Sequence, residues 1–180
     1  QDSSRIGNYR RYFAGTQMSG MLVANPTTEL GVIATHDPIP TVYLDIWSER
    51  PGDYICADNA AEGRLMAEHL INLGVERIAI IGRPSTQKLR ARAEGIHAAE
   101  MLYPHVDFAF IETGDADKPE DGASAVADLM AQPSSLRPQA IIALSDMLAA
   151  GAVRGAGNLG LHVPEDLLVC GCDGNPLAWS

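Results

Sequence analysis

Cysteine is scarce in this 180-residue sequence: Cys56, Cys170 and Cys172 are the only three. An odd number without framework spacing excludes a disulfide-stapled fold and fits a reducing compartment. Cys170 and Cys172 stand two apart on an expected strand, hence on one face. With no histidine pair beside them they make no metal-ligand set. The five histidines (36, 69, 97, 105 and 162) are dispersed, with no i,i+4 pair. No metal and no cofactor is therefore expected. No run approaches the ~18 apolar residues of a membrane span. The opening QDSSRIGNYRR lacks the apolar core of a secretory leader. Cations are the minority: 13 Lys and Arg against 23 Asp and Glu give a net charge of −10. A surface of that sign repels phosphate backbones, so the chain is a poor nucleic-acid binder by itself. No serine occupies a G-x-S-x-G nucleophile elbow.

The composition is that of an ordinary globular protein, 46% hydrophobic and 20% charged, and the length allows one or two compact units. Residues 3–17 read as a helix leading into the apolar run Met21-Leu22-Val23-Ala24, which Asn25-Pro26 stops. Residues 28–35 fit helix and strand equally. Pro38 and Pro40 bracket a turn into the strand Thr41–Leu44, which ends at Asp45; residues 46–53 read as a loop. A strand from Tyr54 to Ala57 then leads to a helix opened by a capping box of Asn59 and Glu62. That helix is expected to bury Met66, Leu70 and Leu73, and Gly74 to end it.

From there strands near residues 78, 106, 140 and 167 alternate with helices, the pattern of a parallel, doubly wound sheet. Ala91, Gly95, Ala98 and Leu102 form the expected inward stripe of the second helix. The third opens on Asp117 as cap, Pro119 and the capping-box acid Glu120, and buries Ala123, Val126 and Met130. The fourth is capped by Ser145 and buries Ala149, Ala152, Val153 and Ala156. The expected domains are 1–50, a partial first lobe, and 51–180, a second lobe with the crossover segments.

Two apolar strands end in acids where the chain turns, at Asp146 and Asp173. If the strands are parallel neighbours, both turns open on one sheet edge, where open α/β sheets place their ligands. The pair reads as binding carboxylates, since no activated nucleophile accompanies it; Asp146 alone also reads as a first-turn acid favoured by the helix dipole. Lys88, Arg90 and Arg92 crowd the start of the second helix and oppose its dipole by roughly 0.3–1 kcal/mol each. An anionic or hydroxyl-rich ligand, a nearby carboxylate, or solvent would offset this. The literal GxGxxG at Gly155–Gly160 follows a helix, whereas a dinucleotide site needs a strand before it, so these glycines read as helix-ending.

The ordered motifs resemble the effector-binding domain of the LacI/GalR regulators over nearly the whole chain. SGMLVANP, PTVYLD, ADNAAEGRLMAEHLINLGVERIAIIGRP, RAEG, SDMLAAGAV and GLHVPEDLLVCGCDGNPLA each match a family segment in turn. The resemblance implies a two-lobed, periplasmic-binding-protein-like α/β fold of doubly wound parallel sheets, with the first lobe incomplete in this chain. It implies a non-enzymatic, cytoplasmic domain that binds a small-molecule effector, a sugar or related polar metabolite, between its lobes. Such a domain forms a homodimer and reaches operator DNA only through a separate helix-turn-helix head. By position it makes Arg92 the effector-binding arginine and Asp173 the ligand-binding aspartate. Asp45 and Asp58 fall at cleft-lining strand ends, and Lys88 one helical turn before Arg92.

Three departures set this pocket apart from the family pattern: Ser145 replaces the usual Asn, Ala116 stands where an aromatic is common, and Gly174 replaces a second Asp. The alternative reading is a periplasmic-type solute-binding protein for a sugar. A third, an α/β enzyme using Asp146 and Asp173, requires turnover of a bound molecule.

Overall fold

The computed structural model describes residues 19–24, 40–45, 53–114 and 118–176. The helix expected at 3–17, the segment 28–35, Ala116 and Asp117 lie outside these residues. Two compact units divide between Ala57 and Asp58.

In the first unit three strands, β1 (Met21–Ala24), β2 (Thr41–Leu44) and β3 (Asp53–Ile55), pair in parallel in that order. Val23 and Tyr43 are buried, and Tyr43 stacks on Tyr54 with ring centroids 5.2 Å apart. The strand expected at 54–57 thus begins at Asp53. Its pairing of Val42 with Asp53 joins it to the first unit's sheet.

The second unit holds α1 (Asn59–Asn72), β4 (Arg77–Ile81), α2 (Gln87–Leu102), β5 (Asp107–Ile111), α3 (Pro119–Met130), β6 (Ala140–Ala143), α4 (Asp146–Asn158) and β7 (Leu168–Cys170). Its sheet is wholly parallel, in the order β5-β4-β6-β7. Successive strand residues face opposite sides. Ile78, Ile80, Ala140, Ile142 and Leu144 pack with α1 and α2. Ala79, Ile81, Ile141 and Ala143 pack with α3 and α4. A fully buried isoleucine of this kind contributes about 1.5–3 kcal/mol. This is why β4 and β6 read as continuous apolar runs: both faces are covered. Chain connections leave β4 toward β5 and β6 toward β7, so the carboxyl ends of β4 and β6 form the topological switch point.

The helices lie where the sequence places them, but their buried stripes are rotated. Leu73, Leu102 and Val153, expected inside, are 57%, 67% and 45% exposed. Ala98, expected inside as well, is exposed, whereas Leu70, Gly95, Val126, Ala152 and Ala156 are buried as expected, within the sets Gly63, Ala67 and Leu70; Leu89, Arg92, Ala93, Gly95, Ile96 and Ala99; Gly122, Ala125, Val126 and Leu129; and Asp146, Leu148, Gly151, Ala152, Gly155 and Ala156. The reason is that each helix packs on a sister helix as well as on the sheet. Glycines carry that contact: Gly63 abuts the backbone of Arg92 and Gly95 that of Ala60, while Gly122 abuts Leu148 and Gly151 abuts Pro119. A hydrophobicity count scores glycine as neutral and misses such a face.

Two caps also move. Asp58, not Asn59, caps α1, its carboxylate accepting from the Ala61 N–H at 2.9 Å. For α3 the cap position is Lys118, and the acid three residues on that accepts its N–H is Asp121 rather than Glu120, at 3.3 Å.

Candidate functional site

The neighbouring carboxyl ends of β6 and β7 place the turns after them side by side, as the two acidic strand ends suggested. Arg92 is the centre. It lies on the second turn of α2, capped by Thr86, whose Oγ1 accepts from the Leu89 N–H at 3.3 Å. Its side chain is 3% exposed and each of its three nitrogens has a separate acceptor. Nε donates to Glu62 Oε2 at 3.0 Å, Nη1 to the Leu144 carbonyl at 2.8 Å, and Nη2 to Asp173 Oδ1 at 2.8 Å. Lys88 Nζ donates to the same Asp173 oxygen at 3.1 Å. Carboxylates therefore offset the charge that crowds the start of α2. Arg90 turns to backbone, its Nη1 donating to the Ser85 carbonyl at 3.3 Å.

Burial opposes the charged form of Arg92, but its hydrogen bond to the Asp173 carboxylate, with the negative charge of Asp173 and the bond to Glu62, outweighs it. The guanidinium is held charged above its ordinary value.

Asp173 is presented by an unusual turn. Its φ is 126°, and Gly174 follows at 68°. A non-glycine residue there costs about 1–3 kcal/mol, and such strain gathers at functional sites. The backbone of the turn is tied to α4: the Asp146 N–H donates to the Cys172 carbonyl at 2.9 Å, and Asp146 Oδ2 accepts from the Asn175 N–H at 2.6 Å.

Of the six residues the sequence nominated, Arg92, Asp173 and Lys88 form one connected cluster. Ser145 is buried at the same edge and caps α4, its Oγ accepting from the Leu148 N–H at 3.4 Å. Asp58 caps α1, the helix that carries Glu62. Asp45 belongs to the first unit, where it takes a positive φ of 58° and its N–H donates to the Ile55 carbonyl at 2.8 Å.

Sequence reasoning missed Glu62, which it assigned to a capping box. With Asp58 as the cap, the Glu62 carboxylate is released to meet Arg92. It also missed Cys172, whose Sγ lies 3.4 Å from Glu62 Oε2 and donates to it. Burial is the main cause that pushes this thiol up to about 11; Arg92 lowers it, and Glu62 and Asp173 raise it. Burial likewise raises Cys170. Both should therefore resist alkylation at neutral pH while exposed Cys56 reacts. Peptide mass spectrometry after N-ethylmaleimide treatment checks the order, and Cys172 labelling should climb as pH rises toward 11.

Of the three GxGxxG glycines only Gly160 stands beyond the helix end as expected; Gly155 and Gly157 lie within α4. Gly155 lies inside α4 against Ala123, and Gly160 takes a φ of 76° beyond the helix end. Among the described residues no group of three or more His, Cys, Asp or Glu is placed to hold a metal ion. No helix is long and apolar enough to cross a membrane among those residues.

A cavity of about 420 Å³ lies at the opposite, amino-terminal edge of the sheet, lined in part by Arg77, Arg137 and Gln139. Several of its polar groups are engaged in holding the fold. Arg77 Nε donates to the Arg137 carbonyl and Arg137 Nε to the Gln132 carbonyl, while Gln139 Oε1 accepts from the Glu76 and Arg77 N–H groups. The chemistry converges at the other edge.

A family model described as a periplasmic binding protein-like domain matches residues 67–180. The HTH-type transcriptional repressor PurR of Escherichia coli strain SMS-3-5 is 34% identical over 173 residues, covering 92% of this chain and 50% of that protein. The protein of the same name from Shigella boydii serotype 18 gives the same figures. The chain thus spans about half the length of the curated relatives it matches.

Among solved structures, a regulatory protein of the LacI family from Chloroflexus aggregans superposes with a TM-score of 0.85 at 24% identity, over 99% of this chain and 65% of that one. A LacI family transcriptional regulator from Enterococcus faecium with bound ribose gives 0.76 at 24%, over 97% and 64%. At that identity the superpositions establish the fold; the matched model and the curated relatives establish the kinship. The chain belongs to the periplasmic binding protein-like domain family, and within it is a LacI/GalR-type effector-binding domain.

Proposed function

We propose that this domain senses a small polar metabolite, a sugar or a close relative, and passes that information to a separate helix-turn-helix head that binds operator DNA. The single observation that carries the reading is the Arg92 cluster at the switch point. Among the described residues two cations, Arg92 and Lys88, meet two carboxylates, Glu62 and Asp173. A charge-balanced site suits a neutral, hydroxyl-rich ligand better than a phosphate ester.

Capacity remains for such a ligand. A guanidinium has five N–H groups, and three are engaged. Asp173 Oδ1 takes both of its cations, leaving Oδ2 without a partner among the described residues. Solved relatives from Enterococcus carry bound ribose, which supports the sugar class. Relatives named as transcriptional repressors favour a regulator over a solute-binding protein, and a non-enzyme over an enzyme.

The mechanism in this reading is population shift. A ligand that binds a closed arrangement of two lobes more tightly than an open one changes their ratio by its differential affinity. In a cytoplasmic homodimer that ratio sets how the DNA-binding heads are presented.

Calorimetry on the intact regulator with D-ribose, other pentoses, hexoses and purine bases tests the site. One compound should bind saturably, and Asp173→Asn should weaken it by about tenfold or more, since a hydrogen bond to a charged group contributes about 1.5–3 kcal/mol. Unchanged affinity in Asp173→Asn would remove Asp173 from the site. Turnover of the bound compound would overturn the sensor reading altogether.

A further inference from the structure

The turn that carries Asp173 is not held by its own hydrogen bonds alone. Asp146 is 6% exposed, although it opens α4 at a position where an acid needs only the helix dipole to be favoured. Its backbone and its side chain both reach the same four residues. The N–H donates to the Cys172 carbonyl at 2.9 Å, and Oδ2 accepts from the Asn175 N–H at 2.6 Å. The two bonds bracket Asp173 and Gly174, the pair with positive φ. Beneath them Gly171 is cut to fit: a Cβ there would stand 2.7 Å from Asp146 Oδ1 and 2.8 Å from Ala149 Cβ. Asp146 touches none of Arg92, Lys88 or Glu62 through a hydrogen bond among the described residues, so it acts on the cluster only through the turn.

We propose that Asp146 is a positioning residue, a two-point clasp from α4 that holds the 172–175 turn in its strained form and so aims Asp173 at Arg92 and Lys88. The clasp deepens the sensor reading, and its part in sensing, though not the clasp itself, rests on Asp173 being a ligand contact. Strain of this kind persists only where its surroundings over-determine it. The Asp146 carboxylate supplies that determination from the neighbouring turn at the start of α4. Without it, the turn relaxes, Asp173 leaves the guanidinium, and the neighbouring Cys172 loses its cover.

Cys172 provides a readout that needs no ligand, and Cys170, two residues earlier on β7, provides its control. In the intact protein, N-ethylmaleimide labelling at pH 7.5 is followed for each cysteine by peptide mass spectrometry. Asp146→Ala should raise the Cys172 rate at least tenfold over that of Cys170. Asp146→Asn, whose carboxamide oxygen can accept the same N–H, should stay within about threefold of the parent. If the alanine variant does not fold, Asp146→Ser serves, because its hydroxyl keeps a polar first turn but is too short to reach Asn175.

A parallel rise of both cysteines would mean general loosening and would overturn the clasp, as would no change in either. Titration with D-ribose separates the two claims. If Asp173→Asn abolishes ribose binding while the cysteine ratio in Asp146→Ala is unmoved, the sensor reading stands and the clasp falls. If the ratio rises but Asp173→Asn binds ribose as the parent does, the clasp stands and Asp173 is not the contact.

Discussion

Gly151→Ala is expected to lower the stability of the second unit by more than about 3 kcal/mol, or to prevent its folding. Overpacking a core costs typically about 1–3 kcal/mol when side chains can move aside. Here the added methyl would fall on the carbonyl oxygen and carbon of Pro119, which are backbone atoms of the first residue of α3. Relief would require the two helices to separate. Gly122 and Gly155 seat the same helix pair, against Leu148 and Ala123, so separation at one point is felt at all three. Buried contacts of Val126, Leu129, Leu148 and Ala152 would open with it.

Urea unfolding of the purified protein measures the loss as a lower midpoint at unchanged slope. Gly157→Ala is the control on the same helix. Nothing lies within 4 Å of a Cβ there, and replacing a helical glycine with alanine gains about 0.5–1 kcal/mol. A small effect at Gly151 comparable to that at Gly157 would show that the close approach is not needed.

This contrast explains much of what the sequence concealed. The parallel strands were legible because β4 and β6 are buried on both faces, and only unbroken apolar runs satisfy that environment. The helices were legible in extent because prolines, glycines such as Gly74 and capping residues punctuate them, although two of the caps lie one residue away from the expected position. Their orientation was not. Leu73 and Leu102 look like core residues by type, yet they stand at the carboxyl ends of α1 and α2 and are exposed. The contacting faces are marked by glycine, whose contribution is the absence of a side chain.

The candidate site divides along similar lines. Arg92, Lys88 and Asp173 were nominated by the family resemblance together with their places at strand and helix ends. Glu62 was hidden because its spacing from Asn59 imitates a capping box, and only the position of Asp58 reveals that its carboxylate is free for Arg92. Cys172 and the Asp146 clasp involve backbone groups of a turn with positive φ, and Asp173 in such a conformation gives no compositional signal of the kind a glycine would.

Arg92→Met should be the most damaging single change at the site. Methionine fills much of the same channel but provides no donor, so the Leu144 carbonyl, the Glu62 carboxylate and Asp173 all lose a partner at once. Removing one side of a buried ion pair costs about 3–5 kcal/mol, because the remaining charge stays desolvated. Glu62 and Asp173 keep 35% and 30% of their side-chain exposure. Water can therefore reach both, and the expected loss falls to about 2–3 kcal/mol.

Arg92→Lys should recover only part of this. A single ammonium group cannot serve three acceptors that lie in the directions set by a planar fork. The decisive measurement is a double-mutant cycle by urea unfolding with Asp173→Asn. If the loss arises from stranded charge, Arg92→Met combined with Asp173→Asn will be less destabilised than the sum of the singles by about 1 kcal/mol or more. Strict additivity would mean that Arg92 and Asp173 are not coupled in stability. The charge cluster would then lose its claim as the organising feature of the site, and with it the argument that its balance selects a neutral ligand.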